Sequence, residues 1–274
     1  MAAKRVKKAP TATPTAAAKT AAPKPKKLKA RMSVADTMRA LEAAGSENTR
    51  KTWRRLGGAE PMFGVSYAAL QTLRKAIGID HELARALWQT GNLDARNLAL
   101  KIADAAQMTT AELDLWAQTV SKRGFGDYVA ALAVEGAQGQ SRAAAWLASP
   151  DVGVRELGWT TVASLALNDE GPTDAWLLKH LAEVEAGIHT AHNDQRLSML
   201  RALIAIGCRN PALRVAATAA AQRIGTVDID HGDNSCKTPE AIACIDKAWG
   251  HSLSKGFVSP AAHERAREPL RLRC

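Results

Sequence analysis

Four cations crowd into one short stretch, SENTRKTWRRLGG, where Arg50, Lys51, Arg54 and Arg55 fall on adjacent turns of a helix. A spacing of four sets Arg50 over Arg54 and Lys51 over Arg55, a compact positive face suited to phosphate contact or simply to solvent. A second series, Arg196, Arg201, Arg209, Arg214 and Arg223, runs through the C-terminal third. Residues 32–79 carry a net +3 and 191–274 a net +4, against −7 over 80–190. That distribution predicts contact with a polyanion through the flanks rather than a uniformly positive groove, although scattered surface arginines would give the same count. One further group invites a metal: His231, Cys236, Cys244 and His251. Their spacing contains no Cys-x-x-Cys, so no metal is expected, and Thr238-Pro239-Glu240 reads instead as the start of a last helix.

Ten of the 37 basic residues and none of the 27 acidic ones lie in the first 31 positions, so the remaining 243 residues carry 27 of each. That leader is built from Ala, Lys, Pro and Thr. It lacks the apolar surface to offset the cost of ordering, so residues 1–32 are expected to be a disordered tail. A Lys/Pro/Ala arm attracts polyanions by counterion release without sequence preference; a solubilising extension with no partner is the alternative. Lysine dominates over arginine, which argues against a transit peptide, and no apolar leader core points to export. No apolar run approaches the roughly 18 residues that cross a bilayer. Four irregularly spaced cysteines then read as reduced thiols, and a cytoplasmic, nucleoid-associated protein is expected.

The elements that must position these groups are helical. Hydrophobic residues make up 46% of the chain and aromatics only 4%, a balance that favours an all-α fold. Ser33 is placed to cap a helix over Val34–Ala44, closed by Gly45. Pro61 and Gly64 make a rigid connector, after which Ser66 can cap Tyr67–Ile77. His81–Gln89 and Leu93–Ala105 carry apolar residues at helical spacing, separated by Thr90-Gly91-Asn92, and read as one hairpin. The hairpin recurs: Trp88, Trp116, Trp146 and Trp176 follow at intervals of 28, 30 and 30. A fixed period near 30 marks stacked helix pairs, each burying its apolar face on the next, with the tryptophans as repeat packing. Two more helices are expected over Pro172–Ala186 and Asp194–Gly207. The repeat domain should run from 33 to 250, with 251–274 a loose basic tail.

The block PMFGVSYAALQTLRKAIGIDHELARALWQTGNLDARNLALKIAD resembles the opening of the bacterial DNA alkylation repair family, the AlkD-type HEAT-like-repeat DNA glycosylases. The likeness is strongest over Glu60–Asp104 and continues more loosely to about Lys247; DIDHGDNSCKTP is also similar to a block common in one branch. The resemblance implies a curved α-α superhelix whose concave face holds double-stranded DNA. It implies excision of cationic N-alkylated purines such as 3-methyladenine and 7-methylguanine, with neither metal nor cofactor and without a deep base pocket. A cationic base is already a good leaving group. The protein then mainly supplies a carboxylate beside the sugar, where positive charge develops, and aromatic faces against the cation.

Carried over residue by residue, the family's carboxylate falls on Asp127 in SKRGFGDYVAA. Arg123 stands where the preceding tryptophan would be, with Phe125 the nearest aromatic. From the residues alone, Asp127 could equally be a helix cap after Gly124–Gly126. The family's arginine belongs in SPDVGVRELGW, where Gly153 replaces a tryptophan, Glu156 takes the aligned place and Arg155 is its neighbour. A third tryptophan is missing from MLRALIAIGC. Arg155 and Trp159 share a helical face, as a cation–π pair or as two groups offered to DNA; packing on a second face is the other reading for Trp159.

The expectation is therefore a monomeric helical solenoid that binds duplex DNA. Asp127 is the candidate catalytic carboxylate, and Arg50, Lys51, Arg54, Arg55, Arg123, Phe125, Arg155, Trp159, Arg196 and Arg201 are the candidate contacts. A non-catalytic DNA-binding paralogue that lost the aromatics, or a protein–protein scaffold, would share this description.

Overall fold

The computed structural model describes residues 31–120, 125–232 and 236–273. The basic leader lies outside them except for its last two positions, and so does Arg123.

Capping residues set the helix starts. Ser33, Ser46, Ser66 and Asp80 each accept a backbone N–H and open α1 (Val34–Ala43), α2 (Glu47–Arg55), α3 (Tyr67–Ile77) and α4 (His81–Gln89). Asn92 opens α5 (Leu93–Ile102), and Thr109, in a reciprocal capping box with Glu112, opens α6 (Thr110–Thr119). Then follow α7 (Gly126–Glu135), α8 (Gly139–Leu147), α9 (Val152–Asn168) and α10 (Asp174–Gly187). The chain continues through α11 (Asn193–Gly207), α12 (Pro211–Ile224), α13 (Ala241–Ser254) and α14 (Pro260–Arg265). The second hairpin helix stops at Ile102, three residues short of the expected Ala105, because Ala103 turns extended and Asp104 caps a separate 3-10 turn. The last repeat helix opens at Ala241 on the Glu240 carboxylate rather than at the Thr-Pro pair before it. No helix among the described residues is long and apolar enough to cross a membrane.

These helices pack as two rows. Helices α5, α7, α9, α11 and α13 form one run in which each packs on the next, backed by α4, α6, α8, α10 and α12. The tryptophan period maps onto the backing row, with one ring in each of α4, α6, α8 and α10. Trp88 and Trp116 stack at 4.1 Å and 8°, and Trp146 donates its indole N–H to Asp114 at 2.8 Å. The first two members of the series are thus joined ring to ring, and the third is tied to the second helix through an indole–carboxylate bond.

The connector before α3 is pinned by a buried carboxylate. Asp94, only 2% exposed, accepts from the N–H groups of Phe63, Gly64 and Val65 at 2.7, 3.0 and 2.9 Å. Gly64 has φ +78°, and a Cβ there would lie 2.4 Å from the Ser46 carbonyl oxygen, so only glycine fits.

The C-terminal segment is not a loose tail. After α13 it forms α14 and a 3-10 turn over Leu270–Leu272, and it packs against α5, α7, α9 and α13, all members of the same row. Arg271 is 4% exposed and bonds to Glu135 at 2.9 Å and to the Lys101 carbonyl at 3.1 Å. Gln71 and Arg74 on α3 hold Leu272 O and Glu268 at 2.9 and 3.2 Å. The segment therefore straps the row from its C-terminal to its N-terminal helices, and we call that row the inner one.

Candidate nucleic-acid interface

Helix α7 starts at Gly126, and its cap position, Phe125, makes no side-chain capping bond. Asp127 is therefore inside the first turn rather than at the cap. There the unpaired N–H groups and the helix dipole favour a negative charge. Its carboxylate is exposed and has no hydrogen bond or ion pair among the described residues. Arg201, two inner-row helices further on in α11, is likewise exposed and unpartnered among them. Both line one cavity of about 570 Å³ on the inner row, with α9 contributing Thr160, Ser164 and Asn168. Of the expected contacts, these two are the ones brought together with their charges free.

The N-terminal cluster is half neutralised. Arg50 and Arg54 both reach Glu60, at 3.1 and 2.7 Å, and Arg54 also pairs with Glu47 at 3.0 Å. Hydrogen bonds from Arg54 and from the Met62 N–H hold the Glu60 carboxyl below its ordinary value, so the pairing persists at neutral pH. Lys51 and Arg55 stay exposed, with no such partner among the described residues.

Most of the other arginines serve the backbone. Arg155 donates to the carbonyls of Ser149 and Pro150 at 2.7 and 2.9 Å, in the loop between α8 and α9. Arg196 donates to the carbonyls of Ala191, Asp228 and His189, at 3.0, 2.8 and 3.1 Å. Arg209 reaches the Ala166 carbonyl in the last turn of α9 and the Glu170 and Pro172 carbonyls beyond it, each at 3.1 Å, and Arg214 and Arg223 pair with Asp246 and Glu185. The reason is local: carbonyls in the loops between helices and in the last turn of α9 lack an intrahelical donor, and a nearby guanidinium supplies one.

The aromatics expected at the site are packed into the repeat. Trp159, 7% exposed, packs towards the backing row, edge-on to His180 of α10 at 6.1 Å. Phe125, 6% exposed, lies 5.8 Å from Trp53. What composition did not flag is Lys101, fully buried, whose ammonium lies 4.4 Å from the Tyr128 ring centroid and donates to the Arg271 carbonyl at 3.1 Å. Burial pushes the Glu135 carboxyl above its ordinary value, and Arg271 only partly offsets this. A signal was present: a lone lysine in the apolar run LALKIA, and leucines alternating with arginines in PLRLR.

Paired helices in two rows, with a charged inner row, define a HEAT-like-repeat solenoid. A family model described as DNA alkylation repair enzyme matches residues 37–243, and the chain belongs to that family. A solved structure from a family described as related to the HEAT-like repeat DNA glycosylases, with affinity for branched DNA structures, superposes with a TM-score of 0.73. It is 28% identical, and the match covers 83% of this chain and 96% of that one. Uncharacterised proteins of Listeria monocytogenes and Listeria innocua are each 28% identical over 216 residues, covering 76% of this chain and 93% of theirs.

Proposed function

We propose that the protein binds damaged or branched DNA through its inner row, and that Asp127 gives it the capacity to excise cationic alkylated purines such as 3-methyladenine and 7-methylguanine. The observation that carries this reading is the pairing of an unpartnered carboxylate and an unpartnered guanidinium in one inner-row cavity. Arg201 suits a phosphate, and Asp127 suits a sugar on which positive charge grows as the glycosyl bond breaks. Lys51 and Arg55 add phosphate contacts at the N-terminal end. The affinity of the similar solved structure for branched DNA supports the binding half of the proposal.

Binding without excision is the second reading, and the burial of Trp159 and Phe125 favours it, since neither ring is free to face a cationic base. One assay separates the two. The wild-type chain should release 7-methylguanine from methylated duplex DNA, and Asp127→Asn should lower the rate by about 10²-fold or more while leaving DNA affinity within about twofold. Release no faster than buffer, with tight binding to a three-way junction, would establish the binder alone.

A further inference from the structure

The family resemblance implies an open inner surface with no deep base pocket, yet here the C-terminal strap turns part of that surface into a walled recess open to solvent. The cavity of about 570 Å³ has walls from α9, α11 and α13, and α14 with the turn beyond it closes a further side through His263, Glu264 and Arg267. That volume lies within the roughly 300–1,000 Å³ typical of sites for single small ligands. The strap is held firmly. His263 stacks on Phe257 at 4.4 Å and 12° and lies 3.3 Å from Ser252, while Arg273 pairs with Glu264. Burial alone would raise the Glu264 carboxyl, but Arg273 and Arg267 outweigh it and keep it charged.

We propose that this cavity is a pocket for one nucleotide turned out of the double helix, with its phosphate on Arg201 and its base between α9 and the strap. The proposal rests on the DNA-binding reading above and deepens it. A single extrahelical nucleotide can enter the recess beside Asp127, which lines it together with Arg201. The lining matches its chemistry. Ala163, Leu167 and Ile204 offer apolar contact for the faces of a heterocycle, and Thr160, Ser164 and Asn168 offer polar groups for its edges. Arg201 supplies the unpaired guanidinium that a phosphodiester needs at the mouth. Branched and bulged DNA already hold nucleotides out of the stack, so they enter without the cost of unpairing.

The test uses the full chain and two duplexes carrying 2-aminopurine, one with the base paired and one with it in a single-nucleotide bulge. The bulged duplex should bind at least about tenfold tighter, and its fluorescence should change on binding while the paired duplex stays constant. Ser164→Trp and Ala163→Trp, which fill the cavity from two positions, should each abolish the fluorescence change and the tenfold preference but keep binding to the paired duplex, with unchanged helical signal. Equal affinity for both duplexes, or tryptophan variants that bind the bulge like wild type, would overturn the pocket and leave the DNA reading intact. Failure of wild type to bind either duplex would overturn both.

Discussion

At the scale of single residues, buried polar groups decide more than the exposed charges that first draw attention. Asp94 holds three backbone N–H groups of the connector, all within 3.0 Å, two of the bonds buried and the third partly so. Asp94→Ala strands those donors, and each unsatisfied buried group costs about 1–3 kcal/mol, so a loss of roughly 3 kcal/mol or more is expected in a urea melt. A change under 1 kcal/mol would mean that water reaches the loop. His180 gives a pH signature. Burial lowers its pKa below the ordinary 6.5, against the opposite pull of Glu183 at 2.7 Å. The unfolded chain then binds more protons than the fold as pH drops below 6.5, so stability is complete above that value and is lost as pH falls through the lowered folded pKa. His180→Gln should flatten that acid limb; an unaltered pH profile would remove His180 as its source.

At the scale of elements, what could be read from residue types was what depends on local spacing. Serine caps marked the starts of α1 and α3, apolar spacing marked α4 and α5, and the tryptophan interval picked out the backing row. Trp159 stands outside that period, so repeat packing explains it less readily and its type alone leaves DNA contact and packing on a second face both open. The arginines are misleading because exposed and carbonyl-bound guanidinium groups have the same sequence appearance; only the placement of the loop carbonyls of His189, Ala191 and Asp228 distinguishes Arg196 from Arg201. The strap was invisible for a related reason: its anchors pair residues far apart in sequence, Arg271 with Glu135 and Gln71 with Leu272. Arg271→Ala should therefore loosen the segment specifically. Breaking a fully buried pair costs about 3–5 kcal/mol, and about 2–3 is expected here because the Glu135 side chain keeps 25% of its exposure and can take up a proton. Trypsin should cut at Arg265 and Arg267 faster in the variant, with the rest of the stack intact. Equal cleavage rates would show that Arg271 does not hold the strap.

At the scale of the whole molecule, charge is divided in a way that assigns separate jobs. The ten cations of the first 31 residues account for the entire net charge of +10, and the body carries as many acids as bases. Within the body, most arginines are committed to carboxylates or carbonyls, which leaves Lys51, Arg55 and Arg201 as the free members of the candidate contact set among the described residues. A body so nearly neutral attracts DNA weakly at long range, so the leader should carry most of the salt-dependent affinity. Each phosphate neutralised contributes about 0.9 to the slope of log affinity against log salt. If about half of the leader's cations reach phosphates, the full chain should show a slope about 4–5 units steeper than a version lacking residues 1–31. Preference for bulged over paired DNA should survive the deletion, because counterion release is blind to structure whereas the inner-row cavity is not. Equal slopes would show that the leader does not touch DNA; a preference lost with the leader would move recognition from the folded body to the arm.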